Sequence, residues 1–378
     1  MRYWPLTWLG PEKTFAFQSD CANADFVIYF GARETIGEPS VYNSLRSNCP
    51  KARILGCSTG TAINGPALSD TAGTALAVEF NGSRVELARL ALEGKSSFEA
   101  GQCIAGQLPR LDLAGVLLLS DGLHVNGSEL VAGVQSVLGT DVPLGGGLAG
   151  DGAAFTKTLV GADAIPTDNS IAALGFYGAK LNIRLGMAHG WDFFGPSRRV
   201  TRAEGAVLYE MDGKPALDLY TRYLGDEAAD LPASGLLYPL LLTNPADPQD
   251  EVVRTVLSVD HDRRTMTFAG DIPQGWHARL MRGDFDNLVR GAAAAAEQTG
   301  GLIDAQSEGF AVLISCVGRR LLMKQRTADE VEATAASLSD RVRQIGFYSY
   351  GEIVGNGVTG SCGLHNQTMT VMMIQETA

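Results

Sequence analysis

Gly346-Phe347-Tyr348-Ser349-Tyr350-Gly351-Glu352-Ile353 and, after a ten-residue connection, Leu364-His365-Asn366-Gln367-Thr368-Met369-Thr370-Val371-Met372-Met373-Ile374 decide how the chain is read. Both stretches have strand composition. Side chains alternate along a strand, so Tyr348, Tyr350 and Glu352 share one face, and His365 and Gln367 share another with Met369, Val371 and Met373. Burying an imidazole or an amide without a partner costs a few kcal/mol. These groups therefore belong either to an internal hydrogen-bond network or to a ligand pocket, and spacing alone favours the network.

Moving back along the chain, Thr327-Ala328-Asp329-Glu330 has the capping-box pattern, and Val331, Ala335, Leu338, Val342 and Ile345 at four-three spacing predict a helix to Gly346. Asp284 is placed to cap a helix through the alanine tract to Gly300. Strands are predicted around Val252–Val259 and Thr265–Ala269, with His261 in the turn between them. Asp212-Gly213-Lys214-Pro215 opens a helix with Leu217, Tyr220 and Leu224 on one stripe. In the first half, a capping box at Ser96-Ser97-Phe98-Glu99 precedes a helix to Leu108, Val116–Leu119 reads as a buried strand, and Leu130–Leu138 as a helix stopped by Gly139. Leu174–Tyr177 and Leu181–Met187 alternate around Gly178 as an antiparallel hairpin. The expected fold is α/β, with two domains, 1–212 and 213–378, built on mixed, largely antiparallel sheets flanked by helices.

The 378 residues carry 30 Lys and Arg against 42 Asp and Glu, a net charge of −12, which argues against a nucleic-acid footprint. Short basic clusters such as Arg319-Arg320 and Arg341-Val342-Arg343 sit beside acids and read as solvated faces. No apolar run reaches the roughly 18 residues that cross a bilayer, and Pro5 and Thr7 break the amino-terminal segment, so neither membrane insertion nor export is expected. The six cysteines form no Cys-x-x-Cys or Cys-x-x-Cys-His pattern, which points away from structural zinc and covalent haem and towards a reducing cytoplasm.

The two terminal stretches resemble the end of the carboxyl-terminal domain of the FIST family, with its GFYTYGEI-like and LHNQTMT-like strands. The resemblance extends to Ser315-Cys316-Val317-Gly318-Arg319-Arg320, to Gly190–Pro196 and to Asp212–Tyr220. Leu55-Gly56-Cys57-Ser58-Thr59-Gly60 and Gly145–Asp151 extend it into the first half. It implies a FIST-type sandwich and an intracellular sensor of a small-molecule or gaseous ligand. One subgroup binds haem and senses nitric oxide. For this chain the resemblance implies haem b as cofactor and a separate histidine kinase as signalling partner, with a homodimer compatible with it. No kinase, cyclase or methyl-accepting segment is legible, so output is expected through that partner and no catalytic residue is assigned.

Three motifs bear on chemistry. Gly56-Cys57-Ser58-Thr59-Gly60 fits the G-x-S-x-G elbow, but the Asn64-Gly65-Pro66 that follows denies it a helix, leaving a Ser58 hydrolase as an unfavoured alternative. Gly145–Gly150 fits G-x-G-x-x-G without the helix a dinucleotide site needs, so the glycines serve close backbone approach to a strand or to a ligand, with Asp151 beside them. His189 has the parity of Leu181, Ile183, Leu185 and Met187, placing one imidazole on an apolar face next to Trp191, the environment a haem iron requires. The candidate site is Gly147, Asp151, His189, Trp191, Tyr348, Tyr350, Glu352, His365, Asn366 and Gln367, with His189 as axial ligand and His365 in reserve. A FIST module sensing an amino-acid-like or other small ligand without haem is the alternative.

Overall fold

The computed structural model describes residues 1–9, 14–16, 21–304, 307–355 and 363–377; Cys362 and most of the connection between the two terminal stretches lie outside the described residues. Three strands organise it: Phe26–Gly31, Leu113–Ser120 and Gly309–Cys316. Each is a nearly unbroken apolar run, the signature of a strand buried on both faces. Phe26, Ile28, Phe30, Leu117, Leu119, Phe310, Val312 and Ile314 turn into one shared core. Their neighbours face outward under helices. Val27 packs with Val41 and Leu45 of Pro39–Asn48. Val116 and Leu118 pack under Ser97–Ala105 and Gly127–Leu138. Ala311 and Leu313 pack under Phe285–Gln298 and Thr327–Ser337. Burying each of the larger aliphatic side chains contributes about 1.5–3 kcal/mol.

Each of these strands has one parallel partner reached through a helical crossover: Arg53–Ser58, Leu144–Leu148 and Val342–Ser349 respectively. Antiparallel strands complete three mixed sheets. In the first, the order is Val160–Ala162, Arg53–Ser58, Phe26–Gly31, Gly73–Glu79, Arg2–Leu9, Thr14–Ala16. The second runs Gly363–His365, Gly351–Gly355, Leu144–Leu148, Leu113–Ser120, Ser170–Tyr177, Arg84–Ala91. The third runs Leu181–Ala188, Met369–Glu376, Gly309–Cys316, Val342–Ser349, Ala62–Asn64, Ala67–Ser69. A fourth sheet, antiparallel throughout its described pairs, is built from strands between Trp191 and Gly283 around Leu208, Leu217, Tyr220, Leu242, Phe268 and Leu280. The α/β class with mixed sheets is as the sequence implies.

Several expectations are corrected by this topology. Ser170–Tyr177 and Leu181–Ala188 are not a hairpin: the first pairs within the second sheet and the second pairs with Met369–Glu376 in the third. Gly178, at φ +140, lets the chain step between layers, and both strands keep an apolar face on the shared core. The last helix ends at Ser337, because Val342 and Ile345 belong to the strand Val342–Ser349. Its first turn has no capping box. Thr327 donates to Lys324 O at 2.6 Å, and Glu330 is wholly buried. Apart from these corrections, the turn at Asp212-Gly213, where the sequence sets the domain boundary, pairs Met211 with Lys214 at the edge of the fourth sheet. The strands after Gly309 return to sheets of the amino-terminal half, so the two halves share one core.

The glycine run is itself a strand. A Cβ on Gly145 would stand 2.9 Å from both Leu185 and Met372, and one on Gly147 2.8 Å from Ile314. The missing side chains let the second sheet lie directly on the third, so Gly147 faces the core.

Candidate functional site

The terminal stretches are polar because each breaks in mid-course. Val342–Ser349 lies in the third sheet and Gly351–Gly355 in the second, and Tyr350 is the step between them. Gly363–His365 lies in the second sheet and Met369–Glu376 in the third, and Asn366-Gln367-Thr368 is the return, with Gln367 at φ +61. His365 and Gln367 therefore do not continue the face of Met369, Val371 and Met373. Where a chain changes sheets its ladder partners run out, and side chains take over the hydrogen bonding.

Most of the polar groups at these steps are held by protein. Arg319 and Glu330 form a fully buried ion pair, with Nη2 at 2.8 Å and Nε at 2.9 Å from Oε2. Tyr348 donates to Glu330 Oε1 at 2.6 Å and Ser315 to the same oxygen at 3.1 Å. Arg319 also reaches the carbonyls of His189 and Leu288 at 2.5 and 2.8 Å. Its expected place on a solvated face is corrected: only the paired glutamate makes its burial tolerable. Glu352 accepts from Ser349 Oγ at 2.6 Å and Thr368 Oγ1 at 2.9 Å, and burial pushes its carboxyl up to about 8 against those bonds. Trp191 is buried and donates to Gln367 O at 3.0 Å.

Asp151 organises the loop after the glycine strand. Its carboxylate accepts from the N–H groups of Phe155, Thr156 and Lys157 at 2.8 to 3.0 Å, from the Tyr350 hydroxyl, and from Arg33 at 3.2 Å. Burial would raise its pKa, but the bonds from Tyr350 and the backbone outweigh that and hold it below the usual range. Tyr350 in turn accepts from the N–H groups of Asp151 and Phe155 and stacks on Phe155 at 4.5 Å. Tyr350→Phe should therefore lower stability by about 1–3 kcal/mol, because it strips a partner from these buried groups. Chemical unfolding checks this, and an unchanged midpoint would contradict it.

A cavity of about 450 Å3 opens beside this network, where the second sheet meets the fourth. Leu123, His124 and Gly127, then Leu148 and Phe155, line it from one side; Leu236, Thr255, Leu257 and Phe268 line it from the fourth-sheet region; Val317, Tyr350, Leu364 and Asn366 close it. The lining includes no Lys, Arg, Asp or Glu among the described residues. The loop that carries His124 is set by Asp121, whose carboxylate accepts the N–H groups of Leu123 and His124 at 2.8 Å. Asn126 caps the helix Gly127–Leu138 and donates to Asp271 at 3.0 Å. Buried Arg254 joins the Asp271 carbonyl to the Leu364 carbonyl at 3.0 and 2.7 Å, and burial lowers its pKa to about 10. This chain of bonds ties the fourth sheet to the sandwich alongside the cavity.

Residues 25–214 match the FIST N domain and residues 216–355 the FIST C domain. The chain belongs to the FIST family. FIST domains are sensory domains that bind small ligands. A protein of Methanocaldococcus jannaschii, known only as uncharacterized protein MJ1623, is 29% identical over 196 residues, which are 49% of this chain and 37% of that protein. The chain thus spans well under half of that relative. No helix among the described residues of the FIST protein is long and apolar enough to cross a membrane.

Of the ten site residues read from the sequence, Tyr350 and Asn366 line the cavity. Gly147 packs in the core, Asp151 and Glu352 serve their loops, and Tyr348 and Trp191 serve the buried network. Gln367 turns its amide onto Leu236 O at 3.3 Å. His189 and His365 are not among the cavity residues. His189 accepts the Trp191 N–H through Nδ1 at 2.9 Å, which leaves its proton on Nε2. Burial and the nearby Arg319 lower its pKa to about 4. His365 is fully buried, and burial followed by Arg254 and His189 lowers it to about 3. A haem-bound histidine presents one free nitrogen and donates from the other. His189 has the reverse arrangement and as it stands does not fit a haem ligand. His365 has a buried Nε2 without a partner among the described residues, but it is not among the residues that line the 450 Å3 cavity.

The sequence reading missed Thr255, Leu123, His124 and Phe268 in the lining, and Arg254 and Glu330 behind it. Arg254 does carry a signal, an arginine inside Val252-Val253-Arg254-Thr255-Val256. The lining residues have none, since they come from loops and strand ends scattered from 122 to 366. Ser58 is settled by its bonds: its hydroxyl donates to Gly150 O at 2.8 Å and accepts the Leu159 N–H at 2.9 Å. Ser58→Ala should cost about 1–3 kcal/mol of stability by freeing two buried groups. Short-chain ester hydrolysis by the unmutated protein, lost in that variant, would overturn this structural role.

Proposed function

We propose that this FIST protein senses a small, uncharged, largely apolar molecule held in the 450 Å3 cavity between the second and fourth sheets. The observation that carries this reading is the lining: a half-open, largely apolar space, of the size that takes small ligands, shared by residues from both FIST domains. A ligand there touches the sandwich through Leu148 and Tyr350 and the fourth sheet through Thr255 and Phe268. Binding therefore favours whichever relative placement of the two bodies closes on it, and a separate signalling protein, of the histidine-kinase kind, reads that placement. Haem and nitric oxide are the weaker version, because neither His189 nor His365 is turned to the cavity.

The test is a thermal-shift screen of neutral small molecules against the full chain, with a spectrum of the protein expressed with haem supplied. A ligand should raise the melting midpoint with concentration, and Leu148→Trp, which fills the space, should abolish the shift. A stoichiometric Soret band lost in His189→Ala or His365→Ala would replace this reading with the haem one. Ligand shifts that survive Leu148→Trp would place the site elsewhere.

A further inference from the structure

The cavity wall contains an amide whose hydrogen-bonding capacity is entirely unused among the described residues. Asn366 is wholly buried, lines the cavity, and has no partner for either its Oδ1 or its Nδ2 among the described residues. With both ends free, the amide offers one donor side and one acceptor side in either orientation. The Thr255 hydroxyl, also buried and on the same lining, is likewise unpartnered. The neighbouring amides are committed in whole or in part. Asn126 caps its helix with Oδ1 and donates to Asp271 with Nδ2, and Gln367, which is not among the cavity residues, donates to Leu236 and leaves only its Oε1 without a partner among the described residues.

Resting on the cavity reading above, we infer that the ligand is recognised through a planar edge with one donor beside one acceptor, as in a primary or cyclic amide, and that Asn366 reads it. A carboxamide is complementary to another carboxamide, each donating once and accepting once. A ligand with only an acceptor leaves the Asn366 oxygen orphaned, and an apolar one leaves both ends so, after displacing water that had satisfied them. Thr255 supplies a third contact from the facing sheet. A carboxylate is disfavoured by the same geometry: no Lys or Arg lines the space among the described residues, and Arg254 commits its donors to the carbonyls of Asp271, Val253 and Leu364.

Four probes of similar shape separate these cases: benzamide, acetophenone, benzoate and toluene, titrated into the full chain and followed by ligand-observed NMR and melting midpoint. Benzamide should bind about tenfold or more tightly than the other three, as expected when a buried polar pair is satisfied by one ligand and stranded by the others. In Asn366→Leu that preference should fall to within about twofold while toluene binding persists. If Asn366→Leu does not fold, Asn366→Ser and Thr255→Val provide the same comparison. Benzamide no tighter than acetophenone, a preference that survives removal of the amide, or tightest binding by benzoate overturns the assignment of the edge. In those outcomes toluene binding still leaves the cavity reading standing. Failure of all four probes to bind overturns both.

Discussion

Glu330→Gln lowers the unfolding free energy by about 3–5 kcal/mol, the range expected when one member of a buried ion pair is removed and the other is left charged. Arg319 and Glu330 are both wholly buried, and the guanidinium has no other carboxylate within ion-pair distance among the described residues. The variant keeps the side-chain volume and the Tyr348 contact, so what it removes is charge. Arg319→Met should cost at least as much, since it also strips donors from the carbonyls of His189, Leu288 and Gln367. Pairing Arg319→Met with Glu330→Leu should recover part of the loss, because no charge then remains buried. Urea unfolding at pH 7 of the two singles and the double checks all three statements. A loss below about 1 kcal/mol for Glu330→Gln would mean that water or a rearrangement reaches the pair.

The second large effect is a stability maximum near pH 6.5. Glu352 is raised to about 8, so between its unfolded value of about 4.5 and pH 8 the native state holds a proton that the unfolded state has released. Its contribution is complete at low pH and is lost as pH rises, at about 1.4 kcal/mol per unit. His189 and His365 are lowered to about 4 and about 3, so below 6.5 the unfolded state gains two protons that the native state refuses. Their contribution is present above 6.5 and is lost as pH falls. From pH 4.5 to 6.5 the net difference is one proton in favour of unfolding on acidification, about 3 kcal/mol over the two units; from 6.5 to 8 the glutamate alone removes about 2 kcal/mol. Glu352→Gln should flatten the alkaline limb and double the acid slope to about 2.7 kcal/mol per unit. Urea midpoints from pH 4.5 to 8.5 read both limbs. An alkaline limb unchanged in Glu352→Gln would show that this carboxyl is ionised in the native state.

Of the three central strands, only the core of Leu113–Ser120 was read from the sequence, as the buried run Val116–Leu119. Phe26–Gly31 and Gly309–Cys316 are nearly as apolar, apart from Ser315, because a strand with core on one face and helix on the other leaves little room for polar residues. Helix starts with a real side-chain cap, Ser96 and Asp284, were also legible. The helix end at Ser337 was not, because Val342 and Ile345 keep helical spacing with Val331 by coincidence while their partners lie in Gly309–Cys316. Sheet membership was illegible for the same reason. Period-two alternation predicts a strand but not the layer it joins, so Leu181–Ala188 looked like the return arm of a hairpin.

The terminal stretches divide the two kinds of information most sharply. Sequence alone determined that they are strands, that their polar residues are too many for a plain core, and that they belong to a FIST protein, because alternation and motif are properties of consecutive residues. Only the tertiary structure decided which of those polar groups are spoken for. Tyr348, Glu352 and Asp151 find partners on segments 18, 16 and 199 residues away, while Asn366 finds none among the described residues and lines the cavity. Whether a buried amide is satisfied depends on what folding brings within about 3 Å of it, and no spacing along the chain encodes that distance.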